Sequence, residues 1–568
     1  MHCCLLGYSS THARSRTHAR ITDPAAINKF SIAYISVVNL DSSPVVLTCR
    51  ESQVTLYMHT APSLVRTFRE GFPLPQILNI AEPPTSSFLE NTEVQNMLID
   101  GRWTAASAGE TFDTFNPATG ALLARVASGQ KADVDRAVTA ARRAFERDSW
   151  AHMNPHARTR MLLRLADGID ASAEELATLE ALDSGIPLSV TRGMVAASSE
   201  ALRYYSGWPT KLQGTVNPVD PLVHCYTVRA PVGVCAGIIP WNGPITMAVW
   251  KVAPALACGN TIILKPAEQT SLTALLLARI FIEAGLPDGV LNVVTGLGRN
   301  AGAAIAQHPG IDKVSFTGST QTGKSVLSDS IGNLKRVTLE LGGKSPHIVM
   351  ADADLELAAS NAAQGFCGLT GQMCIAGSRI LVHQSVRDEF SELLAKKVSV
   401  YRIGDPFASD TDLGPLISAQ QRDRVNSYIE LGANEGARAL VGGGEPFDGP
   451  GYFVKPSIFT DVDNSSRLAQ EEIFGPVAAI IEFTDVDEAI RIANDTDYGL
   501  AAAVATRNVS NAHLIAQKLR AGVVWVNTYG ELDPAFPFGG FKQSGIGREL
   551  GEASLDNFTE LKSVMIRL

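Results

Sequence analysis

Beyond residue 97 the chain alternates short apolar runs with amphipathic stretches. Val234–Ile239, Thr261–Leu264, Leu291–Val294, Lys313–Phe316, His347–Met350 and Val523–Val526 are four to six residues long and read as buried strands. Ser271–Ala284, Asn300–His308 and Asp487–Asn494 read as helices between them. Alternation of this kind predicts an α/β protein with a mainly parallel sheet. Three glycines at 442–444 and the Pro-Phe-Gly-Gly at 537–540 mark loops, and no fixed-period repeat is visible.

Residues 1–96 break the rhythm. Apolar patches at 32–38 and 45–47 find no partner at helical or strand spacing, and Thr-His-Ala-Arg occurs at both 11–14 and 17–20. This stretch holds seven basic and seven acidic residues, so the net charge lies after it. It reads as a disordered extension, or as sequence upstream of a start at Met97. A targeting segment is the alternative, favoured by Arg and Ser but lacking an evident amphipathic helix.

With 568 residues, 45% of them hydrophobic, the chain can bury several cores. Its formal charge of -10 and the lack of a dense basic block disfavour nucleic acid and anionic membrane surfaces as partners. No apolar run approaches the ~20 residues of a membrane span. Eight scattered cysteines, none as Cys-x-x-Cys and none at zinc-ligand spacing with His, suit reduced thiols in a cytoplasmic compartment and no metal site.

Several segments could carry chemistry. Gly318 to Ser325 matches the phosphate-loop pattern Gly-x4-Gly-Lys-Ser/Thr, which alone points to nucleotide hydrolysis with Asp352 as the nearest magnesium candidate. The competing reading is a strand-to-helix turn whose amides face another phosphate or none. The Gly-x-Gly-x-x-Gly fingerprint is absent. Asn242, after an apolar strand, could donate to an oxyanion or cap its own turn. Lys265 and Glu268 could be a ligand pair or a solvated one. Cys374, in Gly371-Gln372-Met373-Cys374-Ile375-Ala376-Gly377, sits among small residues as a reactive thiol requires. Glu340 lies between two leucines, a setting that raises a carboxyl toward general-base range. A core thiol and a salt-bridged Glu remain the plainer readings of these two.

Together, Asn242, Lys265, Glu268, the Phe316–Gly323 turn, Glu340 in Leu-Glu-Leu-Gly-Gly-Lys and Cys374, 34 residues on, resemble the aldehyde dehydrogenase superfamily in order and spacing. Glu472-Ile-Phe474-Gly-Pro-Val and the segment from Pro537 to Glu549 complete the resemblance, which spans 97–568 and points to the non-acylating, NAD(P)-dependent branch. It implies an NAD-binding domain (97–211 and 230–342), a catalytic domain (343–541) and a small β oligomerisation element (212–229 and 542–568) that supports a homodimer or homotetramer. Cys374 would attack an aldehyde, with Asn242 and the Cys374 N–H stabilising the oxyanion. Hydride transfer to the nicotinamide would leave a thioester, and Glu340 would activate the water that hydrolyses it. Lys251 would support Asn242 from behind.

The cofactor residues implied are Ile239, Trp241, Lys265, Glu268, Gly318, Ser319, Gly323, Leu341, Glu472 and Phe474. Lys265 and Glu268 would hold the adenine ribose, Ser319 the phosphates, and Glu472 and Phe474 the nicotinamide end. Glu268 favours NAD over NADP, because a carboxylate at the 2′-hydroxyl repels a 2′-phosphate. The loop from Tyr529 to Phe538 would line the entrance of the substrate channel, and Met247, Trp250 and Phe538 would supply its apolar walls. Glu531 and Asp533 disfavour an anionic semialdehyde, leaving neutral aromatic or aliphatic aldehydes first and cationic amino-aldehydes second. Three departures from the family pattern stand out. Leu369 replaces a common Asn, Gly243 replaces a bulky aromatic and widens the funnel, and Cys367 reads as a packed thiol. A phosphate-loop ATPase and a non-catalytic relative are the rival readings.

Overall fold

The computed structural model describes residues 45–50, 53–58, 81, 83–90, 93–444, 447 and 449–568. Residues 1–70 and 71–568 form two compact units. In the first, Val45–Arg50 and Gln53–Met58 pair antiparallel, so the patch at 45–47 does have a strand partner. The repeat at 11–20 and the patch at 32–38 lie outside the described residues. The expected disordered extension is also too long at its other end. Phe88 is buried in the main core and accepts from Gln95 Nε2 through its carbonyl, and Val94–Gln95 pairs with Leu122–Ala127.

Two large sheets dominate the second unit. The first runs Gly545–Ile546, Arg336–Glu340, Lys313–Thr317, Val234–Ile238, Thr261–Lys265, Leu291–Val293, Met97–Ile99, Arg102–Thr104. Its five middle strands are parallel and its ends antiparallel. Val234–Ile238, Thr261–Lys265 and Lys313–Thr317 are buried at every residue, as strands covered on both faces must be, and this explains their unbroken apolar runs. The chain winds outward from Val234–Ile238 to Leu291–Val293, then returns to the other side with Lys313–Thr317. That reversal leaves a crevice at the carboxyl ends of the two strands, where ligands bind in open α/β sheets. In register, Ile238 faces Phe316, so Ile239 and the Gly318 turn flank the crevice.

The second sheet runs Arg438–Val441, Ser457–Thr460, Val477–Phe483, Arg379–His383, Pro346–Val349, Ala501–Ala505, Val523–Val526. All pairs but the first are parallel. A third, small sheet pairs Thr559–Arg567 with Val223–Pro231, and that strand with Val216–Asn217. Its outer strand exposes Leu561, Met565 and Ile566.

Two expected boundaries move. Gly545–Ile546 extends the first sheet by pairing with Leu339 and Glu340, so the stretch from 542 does not all belong to the small sheet. The small sheet's long strand runs on to Pro231, past the expected 229.

Candidate active site

The helix Leu355–Cys367 ends two residues before a run of left-handed backbone at Leu369 (φ 48°), Thr370 (φ 55°) and Gly371 (φ 72°). Two non-glycine residues in that region are costly, and they turn the chain sharply into the loop that carries Cys374. Downstream, Arg379 is fully buried and donates to the carbonyls of Lys344, Ile492 and Ala493, which fixes the exit of the loop. Gly343 lets the loop pass close by, since a Cβ there would lie 2.3 Å from the Cys374 carbonyl.

Cys374 is half-buried, whereas Cys367 is fully buried in a different core cluster. Burial pushes the Cys374 thiol up, and the Glu472 and Glu340 carboxyls push the same way. The backbone N–H groups of Cys374 and Ile375 pull against them by favouring the thiolate. Asn242 Nδ2 donates to the Gln372 carbonyl at 2.7 Å, so the Asn amide sits against the loop that carries Cys374.

Glu340 closes the strand Arg336–Glu340 and is 3% exposed. Neither carboxyl oxygen has a hydrogen-bond partner. Burial raises its carboxyl well above the usual range; Glu549 adds to this, while Lys251 and Arg548 oppose it. Lys251 does not support Asn242 from behind, as expected. Its Nζ donates to Thr317 Oγ1 at 2.7 Å and to Glu549, because the fully buried ammonium needs a carboxylate and finds it in the chain's last motif. Glu549 also accepts from Ser315 Oγ at 3.2 Å. It lies within a recognised segment, but no spacing rule could place it beneath Lys251.

The crevice holds the expected cofactor residues. Lys265 Nζ lies 3.4 Å from Glu268 Oε2 at the end of the strand Thr261–Lys265. Burial lowers the lysine and Glu268 restores part of the shift. Ser319 caps the helix Thr320–Asp329 by accepting from Thr322 N. Gly318 N donates to the Glu340 carbonyl, and Gly323 is buried against Leu341. Trp241 Nε1 is buried without a partner. Ile239 N donates to the Lys265 carbonyl at 3.1 Å. The Trp241 and Phe474 rings meet edge to face at 5.6 Å, with Phe474 at φ 62°. Glu472 accepts from Gly343 N at 3.1 Å, and desolvation pushes its carboxyl up to about 7.

On the substrate side, Trp250 and Phe538 pack at 5.3 Å, with Met247 half-buried beside the same core cluster. Glu531 and Asp533 are exposed. Tyr529, expected to line the channel, is 3% exposed and lies behind the Cys374 loop instead. The phosphate-loop reading fails. Lys324 donates to Gln543 Oε1, and Asp352 is engaged by Thr506 Oγ1 and Arg507 N on the second sheet. The described residues contain no group of three or more His, Cys, Asp or Glu side chains able to hold a metal ion.

The aldehyde dehydrogenase family matches residues 103–564, and the chain belongs to it. An aldehyde dehydrogenase of Aspergillus niger is 48% identical over 473 residues, covering 83% of this chain and 95% of its own. The mitochondrial benzaldehyde dehydrogenase of Antirrhinum majus is 46% identical over 489 residues, covering 86% and 90%. The NAD+ complex of an aldehyde dehydrogenase from Bacillus cereus superposes with a TM-score of 0.84 at 48% identity, covering 86% of this chain and all of that one. The protein is an enzyme of the class that oxidises aldehydes.

Proposed function

We propose that this enzyme uses NAD to oxidise neutral aromatic or aliphatic aldehydes to carboxylic acids through a thioester on Cys374. The observation that carries the reading is Glu340: a buried carboxyl with both oxygens unpartnered, close enough to the Cys374 thiol to help push it up. Such a group is costly unless water or substrate completes its bonding.

The first sheet and its helices serve the cofactor, the second carries the nucleophile, and the small sheet serves assembly of a homodimer or homotetramer through its apolar edge strand. The crevice fits a dinucleotide. A helix start, an orphaned donor at Trp241, and a Lys–Glu pair at the strand ends supply partners for phosphate and ribose. Ile239, Gly318, Ser319, Gly323 and Leu341 shape its walls, while Glu472 and Phe474 hold its nicotinamide end. Glu268 favours NAD over NADP. Free cysteines suit a reducing, cytoplasmic compartment.

Cys374 Sγ bonds to the aldehyde carbon as its thiol proton passes to solvent water, and the carbonyl electron pair moves to oxygen. Asn242 Nδ2 and the Cys374 N–H donate to that oxygen. NAD, held by Lys265, Glu268, Ser319, Glu472 and Phe474, would supply the hydride acceptor through which the former aldehyde carbon reaches the thioester level. Glu340 then accepts a proton from water as the water adds, the C–S bond breaks, and the acid departs from the restored thiol.

The substrate class follows from the walls. Trp250, Phe538 and Met247 are apolar, and Met194 Cε fills the space over Gly243, 3.0 Å from where a Cβ would lie. Neither Glu531 nor Asp533 is buried to receive a cation, which ranks amino-aldehydes second. The benzaldehyde dehydrogenase relative points the same way.

The test is NADH and NADPH formation across neutral, cationic and anionic aldehydes, with Cys374→Ala as control. Turnover is expected with neutral aldehydes and NAD, and it should vanish in the variant. Folded protein that binds NAD yet turns over no aldehyde would overturn the proposal.

A further inference from the structure

Tyr529 sits in the loop after the strand Val523–Val526, 154 residues from the nucleophile loop it touches. Its hydroxyl donates to the Ile375 carbonyl at 2.5 Å. The ring is wedged between two glycines. A Cβ on Gly365 would lie 3.2 Å from the ring, and one on Gly377 would lie 2.8 Å from the hydroxyl. One ring face stacks on His347 at 5.4 Å and 21°. Trp525 packs against it at 5.0 Å and is itself fixed by its Nε1 donating to the Glu531 carbonyl. Just before Tyr529, Asn527 trades two hydrogen bonds with the Thr506 backbone.

The tyrosine is therefore held firmly beside the second sheet, and its hydroxyl, which also meets the Ser345 side chain, donates to the residue next to Cys374. Ile375 also supplies one of the two backbone N–H groups that face the thiol. We infer that Tyr529 is a positioning residue, whose hydroxyl bond to the Ile375 carbonyl anchors the peptide that follows the one whose N–H meets Cys374, and so holds Ile375 in place. The inference rests on Cys374 as the nucleophile. Freed of that bond, Ile375 would sample orientations in which its N–H no longer meets the sulfur, and the thiolate would lose a donor.

The test is alkylation of Cys374 in the full chain by iodoacetamide across pH, followed by peptide mass spectrometry, for wild type, Tyr529→Phe and Gly377→Ala. Tyr529→Phe removes only the hydroxyl, and Gly377→Ala displaces it from the other side. Glu340 and Glu472 also face the thiol, and His347 lies behind the tyrosine. All three are unchanged in both variants, and a Ser345→Ala variant separates the hydroxyl's other contact, so a shift seen in Tyr529→Phe and absent in Ser345→Ala belongs to the Tyr529 bond to Ile375. Both variants should alkylate about five- to tenfold more slowly at a fixed neutral pH, with a rate–pH profile moved upward. Their kcat should fall while KM for aldehyde holds, and thermal melting should confirm that they fold. Profiles that superimpose on an active wild type would overturn the inference alone. A wild type that neither reduces NAD nor alkylates at Cys374 would overturn the catalytic reading with it.

Discussion

Two groups of buried acid in this molecule share one electrostatic signature and differ in everything else. Glu180 and Asp183, on the helix Ala173–Ser184, are fully buried, and desolvation pushes them up to about 8 and about 7. Glu340 is raised by the same cause. The first two are bonded where they lie. Glu180 accepts from Ile245 N, in the first turn of the Asn242 helix Pro244–Ala257. Asp183 accepts from Leu272 N, which opens the helix Leu272–Glu283, and from Thr114 Oγ1. They act as remote caps for helix amides that would otherwise be orphaned. The Glu340 carboxyl bonds to no group among the described residues. A raised carboxyl alone therefore does not mark chemistry, whereas a raised carboxyl with unused hydrogen-bonding capacity does.

The contrast breaks most decisively at Glu340→Gln. Loss of the base should slow thioester hydrolysis by ~10²–10⁴, leaving a burst of about one NADH per site in stopped-flow, with no loss of melting temperature. In wild type a neutral carboxyl must ionise before it can act, so the hydrolytic rate should climb with pH through its raised value. A fully active Glu340→Gln would dissolve the distinction.

Lys251→Met should give the opposite kind of result. It strands the Glu549 carboxyl without its cation, a loss of ~3–5 kcal/mol visible as a lower urea midpoint. An unchanged midpoint would place that pair with Glu340 rather than with the closed group.

The smallest effect is expected at Glu180→Gln. Its carboxyl is held protonated up to about 8 in the fold but titrates near the ordinary glutamate value once unfolded. The folded state thus binds the proton more tightly, and this group's contribution falls as pH rises from the ordinary value to about 8. Gln should flatten that slope, by about 2–4 °C in melting temperature between pH 5 and 8, with turnover kept. A slope identical to wild type would assign the titration elsewhere.

Much of the scaffold was legible because parallel strands are apolar on both faces. Val234–Ile238, Thr261–Lys265 and Lys313–Thr317 end within one residue of their expected limits. Ala501–Ala505 left no trace in the pattern, since four alanines carry no strand preference. Cys374 and Glu340 stood out because their motifs are contiguous. The bonds that hold the site together were invisible for the converse reason. Lys251 and Glu549 are 298 residues apart, and no periodicity links them. Leu369 shows a local rule being overridden: its φ of 48° is one that Asn accepts more readily than Leu, and only the packed loop enforces it.

The pairing of Met194 with Gly243 has a historical consequence. The backbone at 243 has φ 176°, which any residue adopts, so only the Met194 methyl bars a side chain there. Mutational routes to a narrower channel are thereby ordered. A smaller residue at 194 opens the way for bulk at 243, while the same bulk arriving first must push aside the tip of a flexible methionine. The two positions should show sign epistasis, and a library that varies 243 alone would find the channel rigid when it is merely locked.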